Sequence, residues 1–254
     1  MQHTDQIQAL SEFLLEYATT LMGAGVHTNR AVRNISRIAA AYGYSADMTI
    51  FQRNITMSLI CKDDETLRRT SVRKLKPLAF NLNLIQQLSE LSWLPVDNNV
   101  SIAEMEQAFR TKRFSRWTDL LLVSVGNAAF CRLFNGDLWA MLTVFAATML
   151  GFLAKQQLTR LKYNPLGVII LSAFTASMAA ACAVLFQIGS TPQIALAASV
   201  LFLVPGVQMI NSIMDLMHGH ILMGISRGIH SIMMIACIAI GLSATMLIVG
   251  VNSL

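Results

Sequence analysis

Residues 168–186 read VIILSAFTASMAAACAVLF, an unbroken apolar run without a charged side chain. A strand that faces lipid on one side alternates apolar and polar residues, whereas continuous apolarity over such a length is typical of a helix that crosses a bilayer. Backbone polar groups in lipid must be satisfied within the protein, and a helix does this by itself. The run therefore predicts a membrane-spanning helix.

The charges are distributed unevenly on either side of residue 117. Of 19 Lys/Arg and 14 Asp/Glu in the chain, only five and three lie after that position. A water-facing surface needs polar groups to cover it, so residues 118–254 are predicted to lie in lipid. The late charges are Arg132, Lys155, Arg160, Lys162, Arg227, Asp119, Asp137 and Asp215.

We therefore predict a membrane all-α fold, a polytopic bundle of about five transmembrane helices preceded by a small α+β cytoplasmic domain. The predicted domains are residues 1–117 and 118–254. A span needs about 20 residues, so the first two are short. The predicted spans are 118–135, 137–154, 164–187, 193–214 and 228–250.

Basic connectors alternate with non-basic ones along the membrane half. The positive-inside rule then places residues 1–117, 155–163 and 215–227 in the cytoplasm and the C-terminus outside. A cluster of Lys and Arg before Trp117 fits this orientation, as does an N-terminus too polar for a signal peptide. The cluster consists of Arg110, Lys112, Arg113 and Arg116.

The N-terminal domain mixes helical and strand periodicities. Apolar residues recur at helical spacing in three stretches, and alternation with period two predicts a hairpin around Arg53–Asn54. Ser101 and Glu104 form a capping box that opens a further helix. The predicted helices cover residues 7–21, 28–42, 80–91 and 101–110, with a third strand within 66–75.

The fourth span carries the sequence Leu203-Val204-Pro205-Gly206. Proline removes a backbone donor and clashes with the preceding turn, which frees carbonyl groups. Transporters place substrate at such breaks, so Pro205, Gly206, Asn211 and Asp215 are candidate substrate-pathway residues. A simple kink is the alternative.

Two arginines in the membrane half are also candidates for the substrate pathway. An ionisable group in lipid is costly unless it snorkels, pairs or faces water. Arg132 therefore either snorkels at the outer end of the first span or faces an anionic substrate, and Arg227 lies in the predicted loop 215–227. Arg30, Arg33 and Arg37 form a stripe that is either a solvated face, a lipid contact or the mouth of a pathway.

Small residues recur every four positions in several spans. Ala147 and Gly151 form one pair of this kind, and such stripes let helices approach closely. The two longer stripes are Ala173-Ser177-Ala181 and Cys237-Gly241-Thr245.

Enzymatic motifs are missing from the sequence. It contains neither a phosphate-binding Gly-x-x-x-x-Gly-Lys-[Ser/Thr] loop nor a Gly-x-Ser-x-Gly, His-Glu-x-x-His or paired-cysteine motif. We expect no catalytic residue, no cofactor and no metal, with His218 and His220 as loop polarity. The net charge of +5 reflects cytoplasmic flanks of membrane helices, so no nucleic-acid partner is expected.

Four segments together resemble the threonine/serine exporter (ThrE-type) family, and within it the YjjP-type large subunits of split exporters. They are Gly25-Val26-His27-Thr28-Asn29-Arg30, Arg132-Leu133-Phe134-Asn135-Gly136-Asp137, Leu203-Val204-Pro205-Gly206, and Asn211–Asp215 with Gly224-Ile225-Ser226-Arg227-Gly228. Asn135 stands where glycine is usual in the family, a change expected to be harmless in a turn.

The resemblance implies a bacterial inner-membrane exporter of a small metabolite. Full-length members have a membrane region about twice as long, so a smaller YjjB-type membrane subunit is the implied partner. The split type implies succinate, a dicarboxylate, as substrate, and threonine or serine is the alternative. A protein of another class, a non-transporting scaffold or regulator acting through its cytoplasmic domain, stays open.

Overall fold

A computed structural model describes residues 2–51, 53–76, 78, 80–98, 100–109 and 116–250. The chain forms two compact units, and each of them combines two separate stretches of the sequence. The N-terminal unit combines residues 1–112 with 206–229, and the membrane unit combines residues 113–205 with 230–254. The predicted basic cluster before Trp117 falls on residues 110–116, of whose side chains nothing is described.

The first part of the N-terminal unit, as far as the structure describes it before residue 110, has two long helices and three short ones. The predicted helices are confirmed, including the capping box, in which Ser101 and Glu104 exchange hydrogen bonds with each other's backbone N–H. A short helix at 94–98 was not predicted. The helices are α1 (Gln2–Gly23), α2 (Thr28–Ala41), α3 (Leu82–Leu91), α4 (Leu94–Asn98) and α5 (Ile102–Ala108).

Three antiparallel strands complete this part in the order β1-β2-β3. The register pairs Ile50 with Ile55 across the hairpin, as the alternation predicted. Ile55, Met57 and Leu59 are fully buried, because alternate residues of the central strand face α1 and α2. The strands are β1 (Tyr44–Ile50), β2 (Asn54–Cys61) and β3 (Arg68–Lys74).

Six further helical segments follow in the chain. A break at Val204–Pro205 separates a 3₁₀ turn, Leu201–Leu203, from the helix that begins at Gly206. The helices are α6 (Arg116–Leu133), α7 (Leu138–Arg160), α8 (Pro165–Leu185), α9 (Pro192–Ala198), α10 (Gly206–Met217) and α11 (Ile221–Val249).

The membrane unit packs through its small residues, as predicted. A Cβ on Gly241 would lie 2.6 Å from the carbonyl oxygen of Ile170, so α8 and α11 are in backbone contact there. The hydroxyls of Ser177 and Thr245 are 2.6 Å apart and hydrogen-bonded between the same helices. In lipid there is no hydrophobic driving force between helices, so the close packing of their surfaces holds them together.

Within the described residues, α7, α8 and α11 are long and apolar enough to cross a bilayer, and a fourth span results if the broken pair 192–203 and 206–217 counts as one. The protein is therefore a helical membrane protein with a small sheet near its N-terminus. The predicted loop 215–227 is wrong in extent, because only residues 218–220 lie outside α10 and α11. The loop predicted at 155–163 is likewise helical as far as Arg160.

Candidate functional site

Helix α10 carries a polar face that is removed from solvent. Gln208 and Asp215 each lie three and four residues from the adjacent pair Asn211 and Ser212, and all four are buried. Such spacing places side chains on a single helix face. The other face is exposed and apolar, as shown by Ile210 and its neighbours. The helix therefore presents its polar side to protein rather than to its surroundings.

Asp215 anchors this face to the loop between α1 and α2. Its Oδ1 accepts the backbone N–H of Thr28 at 2.7 Å, and its Oδ2 accepts the Thr28 hydroxyl at 3.0 Å. The carboxylate has no exposed surface. A buried charge is costly unless it is paired and hydrogen-bonded, so these contacts offset part of the cost of burying the carboxylate.

Arg227, near the start of α11, supplies the opposite charge. Its Nη1 lies 3.0 Å from Oδ2 of Asp215, and its Nη2 donates to the carbonyl of Val26 at 2.9 Å. The side chain is 9% exposed. The pair spans two helices that a short turn joins, and both of its members also bind the same loop. Removing either partner would leave a buried charge.

Asn211 adds a third bond to the loop. Its Nδ2 donates to the carbonyl of Gly25 at 2.7 Å. Gly25 has φ of +93°, and a Cβ there would lie 2.3 Å from the Phe80 ring, so both backbone conformation and space require glycine. Residues 25–28 are thus bound by three side chains of α10 and α11, and we call this arrangement the loop clamp.

His27 closes the loop clamp at the start of α2. Its Nδ1 accepts the backbone N–H of Arg30 at 3.3 Å, so it is the N-cap of that helix. Its ring stacks on His218, with centroids 6.0 Å apart. Burial lowers the pKa of His27 below 6.5, an effect that Asp215 opposes and that the charges of His218, Arg30 and Arg227 reinforce.

The structure has a break at Val204–Pro205, where the sequence left a broken helix and a simple kink open. Val204 is extended, with φ of −62° and ψ of +125°, and α10 begins at Gly206. Because helical hydrogen bonding stops between Leu203 and Gly206, the chain has a break here rather than the simple kink of the alternative reading. No protein atom lies within 4 Å of a Cβ built on Gly206, so packing does not demand glycine there.

Arg132 belongs to the membrane unit, apart from the residues of the loop clamp. Its Nη1 donates to the carbonyl of Gly136 at 3.0 Å, and the side chain is exposed. The adjacent Asn135 has φ of +61°, a left-handed conformation in which Asn is tolerated, which explains why it can stand where glycine is usual. The contact gives Arg132 a role in shaping the α6–α7 turn.

Asp137 fixes that turn to the connection between α8 and α9. Its Oδ2 accepts the backbone N–H of Ser190 at 2.6 Å, and its Oδ1 accepts that of Ala140 at 2.7 Å. Gly189, with φ of +79°, lets the second loop approach closely, since a Cβ would lie 2.5 Å from Asp137 Oδ2. The segment 132–137 is therefore structured by local hydrogen bonds.

Three of the six predicted site residues, Asn211, Asp215 and Arg227, are brought together in the loop clamp. What the sequence did not reveal is that their partners are Gly25, Val26 and Thr28. Both segments are among the four that together carry the family resemblance, which is the available signal, but nothing in their spacing predicted contact. Within the part of the chain that the structure describes, no group of three or more His, Cys, Asp or Glu side chains could hold a metal.

The chain is similar to a known protein family and to named proteins of two bacteria. A family model described as "Putative threonine/serine exporter" matches residues 12–249. The chain is 29% identical over 247 residues to a Klebsiella aerogenes protein named "Probable succinate transporter subunit YjjP", a match that covers 94% of each chain. A protein of the same name from Escherichia coli strain K12 is 29% identical over 252 residues, which are 95% of this chain and 96% of that one. No solved structure matches the chain.

Proposed function

The chain belongs to the threonine/serine exporter family, and on that premise we propose that it is a subunit of a bacterial inner-membrane exporter of succinate. Two relatives at 29% identity carry names that include a succinate transporter subunit, which favours this substrate over threonine or serine. Threonine or serine export is the second candidate, because the family is described by those substrates.

The observation that carries the proposal is the broken helix and the buried polar face that follows it. The polar side chains of α10 directly follow the helix break at Pro205, which cannot donate a backbone hydrogen bond, and transporters bind substrate at breaks of this kind. A dicarboxylate also requires a cation in its pathway. Arg227 is the cation next to this face, and an incoming carboxylate would compete with Asp215 for its guanidinium.

We further propose that residues 1–117 lie in the cytoplasm, that residues 118–254 form five spans, and that the C-terminus is periplasmic. The hydrogen bonds from Thr28 to Asp215 support this orientation, because they require the turn at 218–220 to lie on the same side of the membrane as α2. In this arrangement Arg132 is the cation at the outer end of the first span.

A smaller YjjB-type membrane subunit is the proposed partner. The word "subunit" in the relatives' names supports a partner. The apolar face of α10 is exposed along its length, at Val207, Ile210, Ile213 and Met217, and partner helices or lipid would cover it.

Efflux from loaded proteoliposomes tests the proposal. The chain is reconstituted alone and with the smaller membrane protein encoded beside it, and succinate and threonine are loaded separately. We expect succinate efflux only in the presence of the partner. Pro205→Ala should lower that efflux while insertion is retained, and Pro165→Ala, at the tolerated first turn of α8, serves as the matched control.

Each outcome of the efflux assay has a distinct meaning. Threonine efflux without succinate efflux would contradict the substrate and favour the second candidate. Absence of flux for either substrate with the partner present would contradict the exporter proposal and favour a scaffold that acts through residues 1–117. Equal efflux from the Pro205→Ala and wild-type proteins would remove the broken helix from the pathway.

A further inference from the structure

A second polar feature of the N-terminal unit lies along α2, beside its buried residue Asn34. Arg30, Arg33 and Arg37 line a groove of about 480 Å³ together with Ser89 of α3 and Trp93 of the turn between α3 and α4. Its volume is within the range of small-molecule sites, about 300–1,000 Å³. We call it the arginine groove, and the loop clamp does not use its guanidinium groups.

In the described part of the chain, no carboxylate forms an ion pair with these three guanidinium groups. Among the residues that the structure describes, the ion pairs within 4 Å involve Arg73, Lys76 and Arg227, none of which lines the arginine groove. Burial and the nearby charge of Arg33 both lower the pKa of Arg37. Cations held this close repel one another, and a bound anion relieves the repulsion.

Arg37 is held in place before any ligand arrives. Its guanidinium carbon lies 3.6 Å from the centre of the Trp93 ring, and its Nη1 donates to the Ser92 hydroxyl at 2.7 Å. Stacking on an aromatic face leaves the edge of the planar guanidinium free to form paired hydrogen bonds with a carboxylate. A fixed arginine loses less entropy on binding than a mobile one.

We infer that the arginine groove is a binding site for a small dicarboxylate, with one carboxylate on Arg37 and the other on Arg33 and Arg30. Residues three and four apart on a helix have Cβ atoms about 5–6 Å apart, which suits two carboxylates joined by a short carbon chain. The choice of a dicarboxylate rests on the proposed function. In that setting the groove is a cytoplasmic site that concentrates or senses the exported anion.

The test is calorimetric titration of the full-length chain, purified in neutral detergent without a partner. Succinate and propionate are the probes, because they distinguish two carboxylates from one. We expect succinate to bind and propionate to bind at least roughly tenfold more weakly. Arg37→Gln and Arg33→Gln should each weaken succinate binding roughly tenfold. Arg68→Gln removes the same charge from an exposed site on β3 and should leave binding unchanged.

Arg33 is exposed, so Arg33→Gln still tests the groove if Arg37→Gln disturbs the packing on Trp93. Succinate affinity unchanged in both groove variants would overturn the inference, as would the absence of binding to the wild-type chain. A parallel titration uses phosphatidylglycerol vesicles in place of succinate. Binding of the lipid with no binding of succinate would also overturn the inference. If succinate does not bind the groove but succinate efflux is intact, the proposed function still holds. If succinate binds the groove but efflux is absent, only the exporter proposal is contradicted.

Discussion

Tyr17 shows how much one buried hydroxyl contributes to the N-terminal unit. The side chain is fully buried, and its hydroxyl donates to the Leu88 carbonyl at 2.6 Å while it accepts Asn34 Nδ2 at 3.1 Å. Burial raises the pKa of Tyr17 to about 12, against the lowering effect of Asn34, Ser92 and the nearby arginines. The hydroxyl therefore stays protonated and joins α1, α2 and α3 throughout the physiological pH range.

We expect Tyr17→Phe to destabilise the protein by about 1–2 kcal/mol, because two buried polar partners lose a hydrogen bond. The thermal unfolding midpoint in detergent measures the effect. Tyr163→Phe removes the same atom from an exposed tyrosine and should leave the midpoint unchanged. Equal midpoints for Tyr17→Phe and wild type would mean that water replaces the lost bonds.

His27 gives the loop clamp a sensitivity to acid. Because its folded-state pKa is lowered, the unfolded chain binds a proton more readily, and stability falls as the pH drops below about 6.5. His27→Asn keeps an N-cap acceptor but does not titrate. We expect the unfolding midpoint of the Asn variant to fall less than that of wild type between pH 7.5 and pH 5.5. Parallel pH profiles for the two proteins would contradict a role for His27.

The Asp215–Arg227 pair makes α10, α11 and the α1–α2 loop a single interacting set. Asp215→Asn leaves Arg227 as an unpaired buried charge, and Arg227→Gln does the same to Asp215, so each change should cost about 3–5 kcal/mol. The double variant removes both charges and keeps an amide oxygen for Thr28. We expect it to be more stable than the sum of the single effects predicts. Additive losses of midpoint in this mutant cycle would show that the charges do not interact.

Gly241 is the corresponding contact in the membrane unit. Gly241→Ala would force α8 and α11 apart, since its Cβ would lie 2.6 Å from the Ile170 carbonyl and 2.8 Å from the Ala173 side chain. We expect a loss of about 1–3 kcal/mol from this overpacking. Gly126→Ala, in α6, meets open space and should be neutral or slightly stabilising. A smaller effect at Gly241 than at Gly126 would contradict the close α8–α11 contact.

Local patterns predicted the elements well, whereas contacts between distant segments could not be predicted. The period of two in residues 48–59 and the capping box at Ser101 depend on neighbouring residues, and both appear in the structure. The contact of Asp215 with Thr28 joins positions 187 residues apart, and neither residue's neighbourhood encodes the other. The prediction that residues 215–227 form a loop was wrong for the same reason. Its polar residues indicated solvent, but Asp215 and Arg227 neutralise each other inside a helical pair.

The division of the molecule changes how a truncation should be interpreted. Residues 206–229 belong to the same compact unit as residues 1–112, and the loop clamp supplies their hydrogen bonds. Deletion of residues 1–112 would therefore expose the polar face of α10 as well as remove α1–α5 and the sheet. Loss of transport in such a fragment would not by itself distinguish an exporter from a scaffold.

Hydrogen exchange of the fragment 113–254 against the full-length chain, both in the same detergent, measures this dependence directly. We expect amides of α10 and the first turns of α11 to lose at least roughly tenfold in protection, because their buried partners are gone. Amides of α7 and α8 are the internal control and should keep their protection, since these helices belong to the membrane unit. Unchanged protection of α10 would show that this helix is stabilised without the loop clamp.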